Sequence, residues 1–306
     1  MASPADLGIL VPALWSGRGY SARRLVPFFR AAEELGFGSL WTPDRLFHAQ
    51  VATPHPLVTL SLAAGVTERV GLGAAVVITG VRNPIETAQL AASLDALSDG
   101  RLTLGVGLGG REHEYAALGV DARRRVSRFE EGIALMRRLW TEESVTFAGR
   151  HFALEGASIL PRPGRAIPMP IGARAAPALA RAGRIGDGWI QGGRGSTQEF
   201  REAWALVRES AEAAGRDPAA LMSGKLLYVN PGRDARAAEA QVRRHTVAYY
   251  GREMGEAQTV AAGPPERVAE VVREFIDAGC QTPMLGLPEP DVDKLVALAQ
   301  EVAPLV

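Results

Sequence analysis

The chain has 306 residues, of which 47% are hydrophobic and 22% are charged, and its formal net charge at pH 7 is zero. This composition predicts a folded globular protein and excludes a disordered one. A chain with a pI near 7 lacks the excess of positive charge with which proteins bind nucleic acids or anionic membranes. We therefore expect a small-molecule partner and no nucleic acid.

The single cysteine, Cys280, cannot form a disulfide within the chain. The first residues lack the basic region and apolar core of a signal peptide. No apolar run approaches the roughly 18 residues needed to cross a membrane. These features predict a cytoplasmic protein without a membrane partner.

Strand and helix patterns alternate along the chain. Short apolar runs predict eight strands, at residues 6–11, 37–42, 70–78, 101–106, 169–172, 188–191, 225–229 and 282–287. Helical patterns follow them at residues 21–35, 56–66, 84–97, 175–185, 198–214 and 265–278, in a segment that ends at Trp140, and in a last helix that ends near Val302. A hairpin or insertion at 144–152 and an extra helix at 235–250 interrupt the alternation.

Eight strand–helix units predict a (β/α)8 TIM barrel, an α/β fold whose active site lies at the carboxyl ends of its parallel strands. An open doubly wound sheet is the alternative. No repeat, low-complexity tract or linker divides the chain. We expect one domain over residues 1–306, with insertions at about 108–165 and 232–262.

Glycines follow the fourth predicted strand in the segment LGVGLGG. Their spacing satisfies a dinucleotide-binding fingerprint, but three units precede them, whereas that fingerprint opens the first unit of a Rossmann sheet. Glycine lets the backbone approach a ligand and leaves N–H groups for an anion. The candidate cofactor contacts here are Gly107, Leu108, Gly109 and Gly110, with simple chain reversal as the alternative.

Small residues connect the fifth predicted strand directly to a helix at Gly172, Ala173, Arg174 and Ala175. A helix N-terminus binds phosphate through its unpaired N–H groups and its dipole. Arg174 either adds charge there or is solvated. Close packing of helix on sheet is the alternative reason for the small residues.

Polar residues follow the second predicted strand and so fall at the expected catalytic rim. Asp44, Arg45 and His48 can all move or stabilise charge, and we take them as catalytic candidates. The alternatives are a turn or cap for Asp44 and a loop position without chemical duty for His48. His113, which follows the glycines, is a further candidate. No His-x-x-x-His pair occurs, so we expect no metal site.

Lysine is rare, and of Lys225 and Lys294 only Lys225 falls near a predicted strand. We place it early in that strand, away from the catalytic end. This position disfavours a barrel aldolase, which needs an activated lysine for its Schiff base.

Several segments together resemble the luciferase-like superfamily, in particular its short branch of oxidoreductases that use the deazaflavin coenzyme F420. The segment EELGFGSLWTPDR is similar to the family phrase E-x-x-G-F-x-S-L-W-x-x-D-H, with Asp44 matching and Arg45 in place of histidine. The segments at 70–110 and 168–190 are similar to two further family phrases. The resemblance runs, with gaps, from the first strand to about Trp189.

The resemblance implies an F420-dependent oxidoreductase that transfers a hydride between the deazaflavin and a small organic substrate. An FMN-dependent luciferase-like monooxygenase is the alternative, and a non-catalytic flavin-binding protein or a cofactor-free barrel hydrolase are rivals from other classes. The resemblance also implies a homodimer. It implies a non-prolyl cis peptide bond between Ala75 and Val76 that supports the central ring, and phosphate contacts from Gly172 to Ala175.

Site roles follow from these positions. Asp44 is expected close to the ring as well as to the chemistry. Arginine is always charged and is a poor general acid, which leaves His48 or His113 to transfer a proton in place of Arg45. Trp15 and Gln191 are expected in the substrate pocket, although a packing role for Trp15 is an open alternative.

Overall fold

A closed barrel of eight parallel strands forms the centre of the structure, a computed structural model that describes residues 3–12, 21–48, 51–109 and 112–306. Trp15 and Gly110 lie outside the described residues. The barrel strands are β1 (Gly8–Leu10), β2 (Ser39–Thr42), β3 (Gly71–Ile78), β4 (Leu102–Gly107), β7 (Ile171–Gly172), β8 (Gly188–Gln191), β9 (Met222–Pro231) and β11 (Thr282–Gly286). All eight predicted strands are present.

Pairing of β8 with β9 closes the sheet. The barrel runs in the order β9, β11, β1, β2, β3, β4, β7, β8, and every neighbouring pair is parallel. Gly188 lies opposite Met222 and Gln191 opposite Lys225 across the closing pair. The barrel prediction is confirmed, and the open doubly wound sheet is wrong.

Helices surround this barrel in the predicted order. Within the described residues they are α1 (Ala22–Glu34), α2 (Pro56–Ala64), α3 (Pro84–Leu97), α4 (Glu112–Ala117), α5 (Arg125–Thr141), α6 (Ala176–Ile185), α7 (Thr197–Ala213), α8 (Ala235–Tyr250), α9 (Arg252–Glu256), α10 (Pro265–Asp277) and α11 (Val292–Ala297). A π-helical turn at Leu298–Val302 continues α11. The start of α3 shows why the boundaries were readable, because Pro84 opens the helix and the Asn83 side chain accepts from the Ile85 N–H.

Two segments elaborate the barrel. The predicted hairpin is the antiparallel pair β5 (Val145–Ala148) and β6 (Ala153–Ala157), which extends five residues beyond the predicted end at 152. The second segment contains α8, α9 and a strand that we did not predict, β10 (Val260–Gly263), which pairs with the end of β9. β10 ends at Gly263, one residue beyond the range of about 232–262 that we expect for the second insertion.

Alternate residues of the strands enter two different apolar clusters. Ile9 and Leu40 belong to the large cluster shared with the helices, whereas their neighbours Leu10 and Trp41 belong to a smaller cluster with side chains of β8, β9 and β11. This alternation is the period of two expected of barrel strands. Among the helices in the described ranges, none combines the length and the apolar character that a membrane span requires.

Candidate active site

A cavity of about 450 Å³ opens at the carboxyl ends of β3, β4, β7 and β8. It brings together eight of the predicted cofactor contacts and one of the predicted pocket residues. These are Ala75, Val76, Gly107, Leu108, Gly109, Gly172, Ala173, Arg174 and Gln191. Ala175 and Asp44 do not line the cavity, and Ala175 is the residue that precedes α6.

A bulge in β3 presents Val76 to this cavity. The register between β3 and β4 shifts between Ala74 and Val77, and the peptide bond from Ala75 to Val76 is cis, as the resemblance implied. A Cβ atom added at Gly107 would lie 2.6 Å from Cγ2 of Val76, and one added at Gly172 would lie 3.1 Å from both of its methyl carbons. The Val76 side chain therefore occupies the space that these two glycines leave open.

Two unpaired amide oxygens lie in the cavity wall. Oε1 of Gln191 and Oε1 of Gln258 are both buried, and neither has a hydrogen-bond partner among the described residues. The Gln258 amide nitrogen donates to the Met254 carbonyl at 2.6 Å, so this side chain is held from its other end. A buried acceptor without a partner is rare in proteins. The pair is suited to the N–H or O–H donors of a polar ring edge.

One edge of the cavity carries positive charge. Arg174 and Arg194 both line it, and the Arg174 side chain is more than half exposed, with its guanidinium 3.9 Å from the Glu199 carboxylate. The helix α6 begins immediately beyond Ala175, which has no side-chain acceptor to cap the first turn. A helix N-terminus next to arginine is a favourable place for an anionic group.

Several lining residues were missed by sequence reasoning. The loop after β8 adds Gly192, Gly193 and Arg194, and the signal for it was a pair of glycines at the carboxyl end of a predicted strand. The opposite wall comes from the second insertion. It is formed by Tyr250, Met254 and Gln258. No local pattern marks these three, because their position depends on where α8 and α9 pack over the barrel.

Asp44 is tied to the end of β3 and does not face the cavity. Its Oδ2 accepts from the Ile78 N–H at 2.8 Å, and the Arg82 guanidinium reaches its two oxygens at 2.9 and 2.7 Å. The Asp44 side chain is 2% exposed and that of Arg82 18%. Both carboxylate oxygens are thus engaged in holding the strand that carries the bulge.

Arg45 and His48 converge on one backbone carbonyl. Both donate to the carbonyl oxygen of Tyr249 near the end of α8, His48 through Nε2 at 2.9 Å. Nδ1 of His48 accepts from the Val51 N–H at 3.2 Å, which places the proton of a neutral ring on Nε2. Positive charge at the last turn of a helix interacts favourably with the helix dipole, and N–H donors there form hydrogen bonds with the free carbonyls. We call these two side chains the Tyr249 clamp.

His113 lies apart from the clamp, on the short helix α4. It is exposed, and its ring centroid is 6.3 Å from that of Phe47. It does not line the cavity. Among the residues that the structure describes, no three His, Cys, Asp or Glu side chains gather as they would around a metal ion.

Comparison with known proteins identifies the family. The family model described as luciferase-like monooxygenase matches residues 7–282. The chain belongs to this family. It is 29% identical over 321 residues to an F420-dependent glucose-6-phosphate dehydrogenase of Kineococcus radiotolerans, with 95% of each chain covered. It is 34% identical over 243 residues to an F420-dependent hydroxymycolic acid dehydrogenase of Mycobacterium tuberculosis, with 78% of this chain and 66% of that relative covered.

A solved structure shares the whole architecture. An F420-dependent secondary alcohol dehydrogenase, in complex with an F420–acetone adduct, superposes with a TM-score of 0.87, covering 100% of this chain and 99% of the other. The two sequences are 22% identical, so this likeness establishes the fold. The chain is a luciferase-like barrel.

Lys225 of this luciferase-like chain reaches the catalytic end after all. We expected it early in its strand and away from the active site, but its Nζ donates to the carbonyls of Gly192 and Arg194 at 2.8 and 3.1 Å. The side chain is fully buried. It is long enough to reach the loop after β8 from a backbone position early in β9. It lies over the Phe275 ring, 5.1 Å from the centroid, and holds the loop after β8 that lines the cavity.

Stability should depend on pH through this lysine. Burial lowers the pKa of Lys225 from its ordinary value of 10.5 to about 7. Between these two pH values the unfolded chain binds a proton at Lys225 that the folded chain does not bind. The free energy of unfolding therefore rises with pH in this range. We expect the free energy of unfolding of the wild type, measured in urea titrations, to increase relative to that of Lys225→Met from pH 7.5 to 9.5. Parallel curves for the two proteins would contradict this.

Proposed function

We propose that this chain is an F420-dependent oxidoreductase that transfers a hydride between the deazaflavin and a small organic substrate. The observation that carries the proposal is the cavity in which the Ala75–Val76 bulge meets the glycine-rich ends of β4 and β7. The F420-dependent dehydrogenases among the relatives support it.

The residues present fit such a coenzyme. Val76 provides an apolar surface for the central ring, held between Gly107 and Gly172. The unpaired amide oxygens of Gln191 and Gln258 suit donors on the edge of a ring. Arg174 and the start of α6 suit the coenzyme phosphate. A bound deazaflavin supplies hydride chemistry and does not readily activate oxygen, while the protein orients it and excludes competing reactions.

The substrate that we propose is a small molecule with an alcohol or carbonyl group. Ile190, beside Gly172 in the barrel, and Tyr250 and Met254, from the second insertion, line the cavity, so its lining there is mainly apolar with one hydroxyl. This wall suits a carbon skeleton that bears an oxygen at the reacting carbon. The dehydrogenases among the relatives act, by their names, on substrates that contain hydroxyl groups.

We also propose a cytoplasmic homodimer in which the whole chain is one domain. Apolar side chains on α2 and α3 support a subunit interface there, because Val58, 67% exposed, and Leu90, 41% exposed, line one surface pocket. Monomers rarely expose contiguous apolar surface of this kind. Sedimentation velocity measures the oligomeric state directly.

Titration with the two candidate coenzymes tests the function. We expect F420 to bind with a Kd in the micromolar range or tighter, measured by quenching of its fluorescence. FMN should bind at least roughly tenfold more weakly, a difference of about 1.4 kcal/mol. Reduced F420 should then be oxidised when small ketones are added under anaerobic conditions. Tighter binding of FMN with oxygen consumption would favour the monooxygenase, and binding without turnover of any ketone would favour a non-catalytic flavin protein.

A further inference from the structure

Two phenols meet at the wall of the cavity. Oη of Tyr228 and Oη of Tyr250 are 2.7 Å apart. Tyr228 is a residue of β9 and is 3% exposed, whereas Tyr250 is the last residue of α8 and lines the cavity. Both pack in the apolar cluster that also contacts Ala75 and Val76. The pair therefore lies next to the proposed coenzyme surface.

The hydrogen bond between the phenols has one direction that satisfies both protons. Tyr228 is buried, and among the described residues its hydroxyl has Tyr250 as its hydrogen-bond partner. A buried O–H donor needs an acceptor. When Tyr228 donates to Oη of Tyr250, the proton of Tyr250 is free to point into the cavity. Tyr250 is then a donor aimed at a ligand.

The Tyr249 clamp positions this donor. Arg45 and His48 fix the carbonyl oxygen of the residue that immediately precedes Tyr250. The Arg45 guanidinium also lies over the Tyr249 ring, 4.8 Å from its centroid, and the His48 ring stacks on it at 5.7 Å. The two side chains that sequence reasoning put forward as catalytic thus hold the end of α8 in place.

These contacts reassign the proton donor. Both ring nitrogens of His48 are engaged, Arg45 cannot release a proton at neutral pH, and His113 does not line the cavity. We propose that Tyr250 is the catalytic residue that donates a proton to the substrate oxygen, with Tyr228 and the Tyr249 clamp as positioning residues. This inference rests on the proposed oxidoreductase function and names the residue that completes it.

The step balances as a carbonyl reduction. The carbonyl carbon receives a hydride, with its two electrons, from the reduced deazaflavin, and the π electrons of the C=O bond move to oxygen. The O–H bond of Tyr250 breaks, and its proton bonds to that oxygen, which gives an alcohol and an oxidised deazaflavin. The Tyr250 phenolate, stabilised by the hydrogen bond from Tyr228, then takes a proton from water in the open cavity.

The electrostatic surroundings keep this phenol protonated. Burial raises the pKa of Tyr250 to about 12 and that of Tyr228 well above its ordinary value. His245, with its ring 5.7 Å from that of Tyr228, has a pKa lowered to about 4 by burial, so it is neutral at physiological pH. The guanidinium of the clamp, on Arg45, carries a fixed positive charge. A donor with these properties works unchanged across neutral and mildly alkaline pH.

The test compares wild type with Tyr250→Phe and Tyr228→Phe. We expect Tyr250→Phe to lower kcat for reduction of cyclohexanone or acetone by reduced F420 by about a hundredfold, the contribution of a general acid. Tyr228→Phe should lower it by about tenfold, the effect of one lost hydrogen bond. The Kd of both variants for F420, read from coenzyme fluorescence without turnover, should stay within about threefold of wild type, because neither hydroxyl is assigned to the coenzyme.

The pH profile separates a tyrosine donor from a histidine donor. The ratio of wild-type kcat to that of Tyr250→Phe should stay constant from pH 7.5 to 9.5, above the range in which histidines ordinarily titrate. Normal F420 binding with an unchanged kcat in Tyr250→Phe, or a wild-type rate that falls tenfold per pH unit in this range, would overturn the donor and leave the proposed function standing. Absence of F420 binding or of ketone turnover by the wild type would overturn both.

Discussion

Gly107→Ala is expected to weaken coenzyme binding while the barrel still forms. The added Cβ would lie 2.6 Å from Cγ2 of Val76, so the Val76 side chain would have to shift. Overpacking of this kind costs about 1 to 3 kcal/mol. The displaced Val76 would then occupy the place proposed for the coenzyme ring, so we expect the Kd for F420 to rise by roughly tenfold or more, about 1.4 kcal/mol.

Gly164→Ala is the matched control for this substitution. A Cβ at Gly164 would meet no described atom within 4 Å, and the residue lies on the surface away from the cavity. Its coenzyme affinity and its circular dichroism spectrum should equal those of wild type. If Gly107→Ala bound F420 as tightly as Gly164→Ala, the Val76 surface would not be the coenzyme site.

Asp44→Ala is expected to lower the free energy of unfolding by about 3 to 5 kcal/mol, the usual cost of removing one partner of a buried ion pair. The substitution leaves the Arg82 guanidinium without its carboxylate and the Ile78 N–H without its acceptor. Nε of Arg82 is already buried without a hydrogen-bond partner among the described residues. Loss of the Asp44 carboxylate would add further unpaired donors on the same guanidinium. Urea unfolding at pH 7 measures the loss.

A double-variant cycle separates this structural role from a catalytic one. If Asp44 and Arg82 act as a pair, Asp44→Leu with Arg82→Leu should lose less stability than the sum of the two single substitutions. Asp44→Asn should bind F420 nearly as wild type does, since its amide oxygen can still accept from Ile78. An Asp44→Asn protein of normal stability with a kcat reduced more than a hundredfold would show that the carboxylate acts in catalysis.

The barrel was predictable because its strands are short, nearly continuous apolar runs bounded by turn residues. Residues 70–78 and 282–287 are examples, and each matches its observed strand within one residue. β10 escaped prediction because VAAG consists mostly of small residues with no alternation, and it becomes a strand only by pairing with the end of β9. Its tertiary pairing, not its local propensity, decides its structure.

The candidate site divides along the same line. Gly107 and Gly172 were recognisable because glycine at a strand end allows a close approach to the backbone, and this property does not depend on distant contacts. Tyr250 was not recognisable, because only the packing of α8 against the loop after β2 brings it to the cavity. The roles of Arg45 and His48 depend on the same contact, 201 to 204 residues away along the chain. Their position at the carboxyl end of β2 did not reveal that both side chains form hydrogen bonds with the Tyr249 carbonyl.

The walls of the cavity have separate origins in the chain. The side with the Val76 bulge is built from barrel strands, whose positions are fixed by hydrogen bonds to both neighbours. Another part of the lining, with Tyr250 and Met254, belongs to one continuous insertion between β9 and β10. Mutations in this insertion can alter the shape of the substrate pocket without disturbing strand register. The substrate pocket of this chain can therefore change by exchange of a single peripheral segment, with the strands that carry the Val76 bulge left in place.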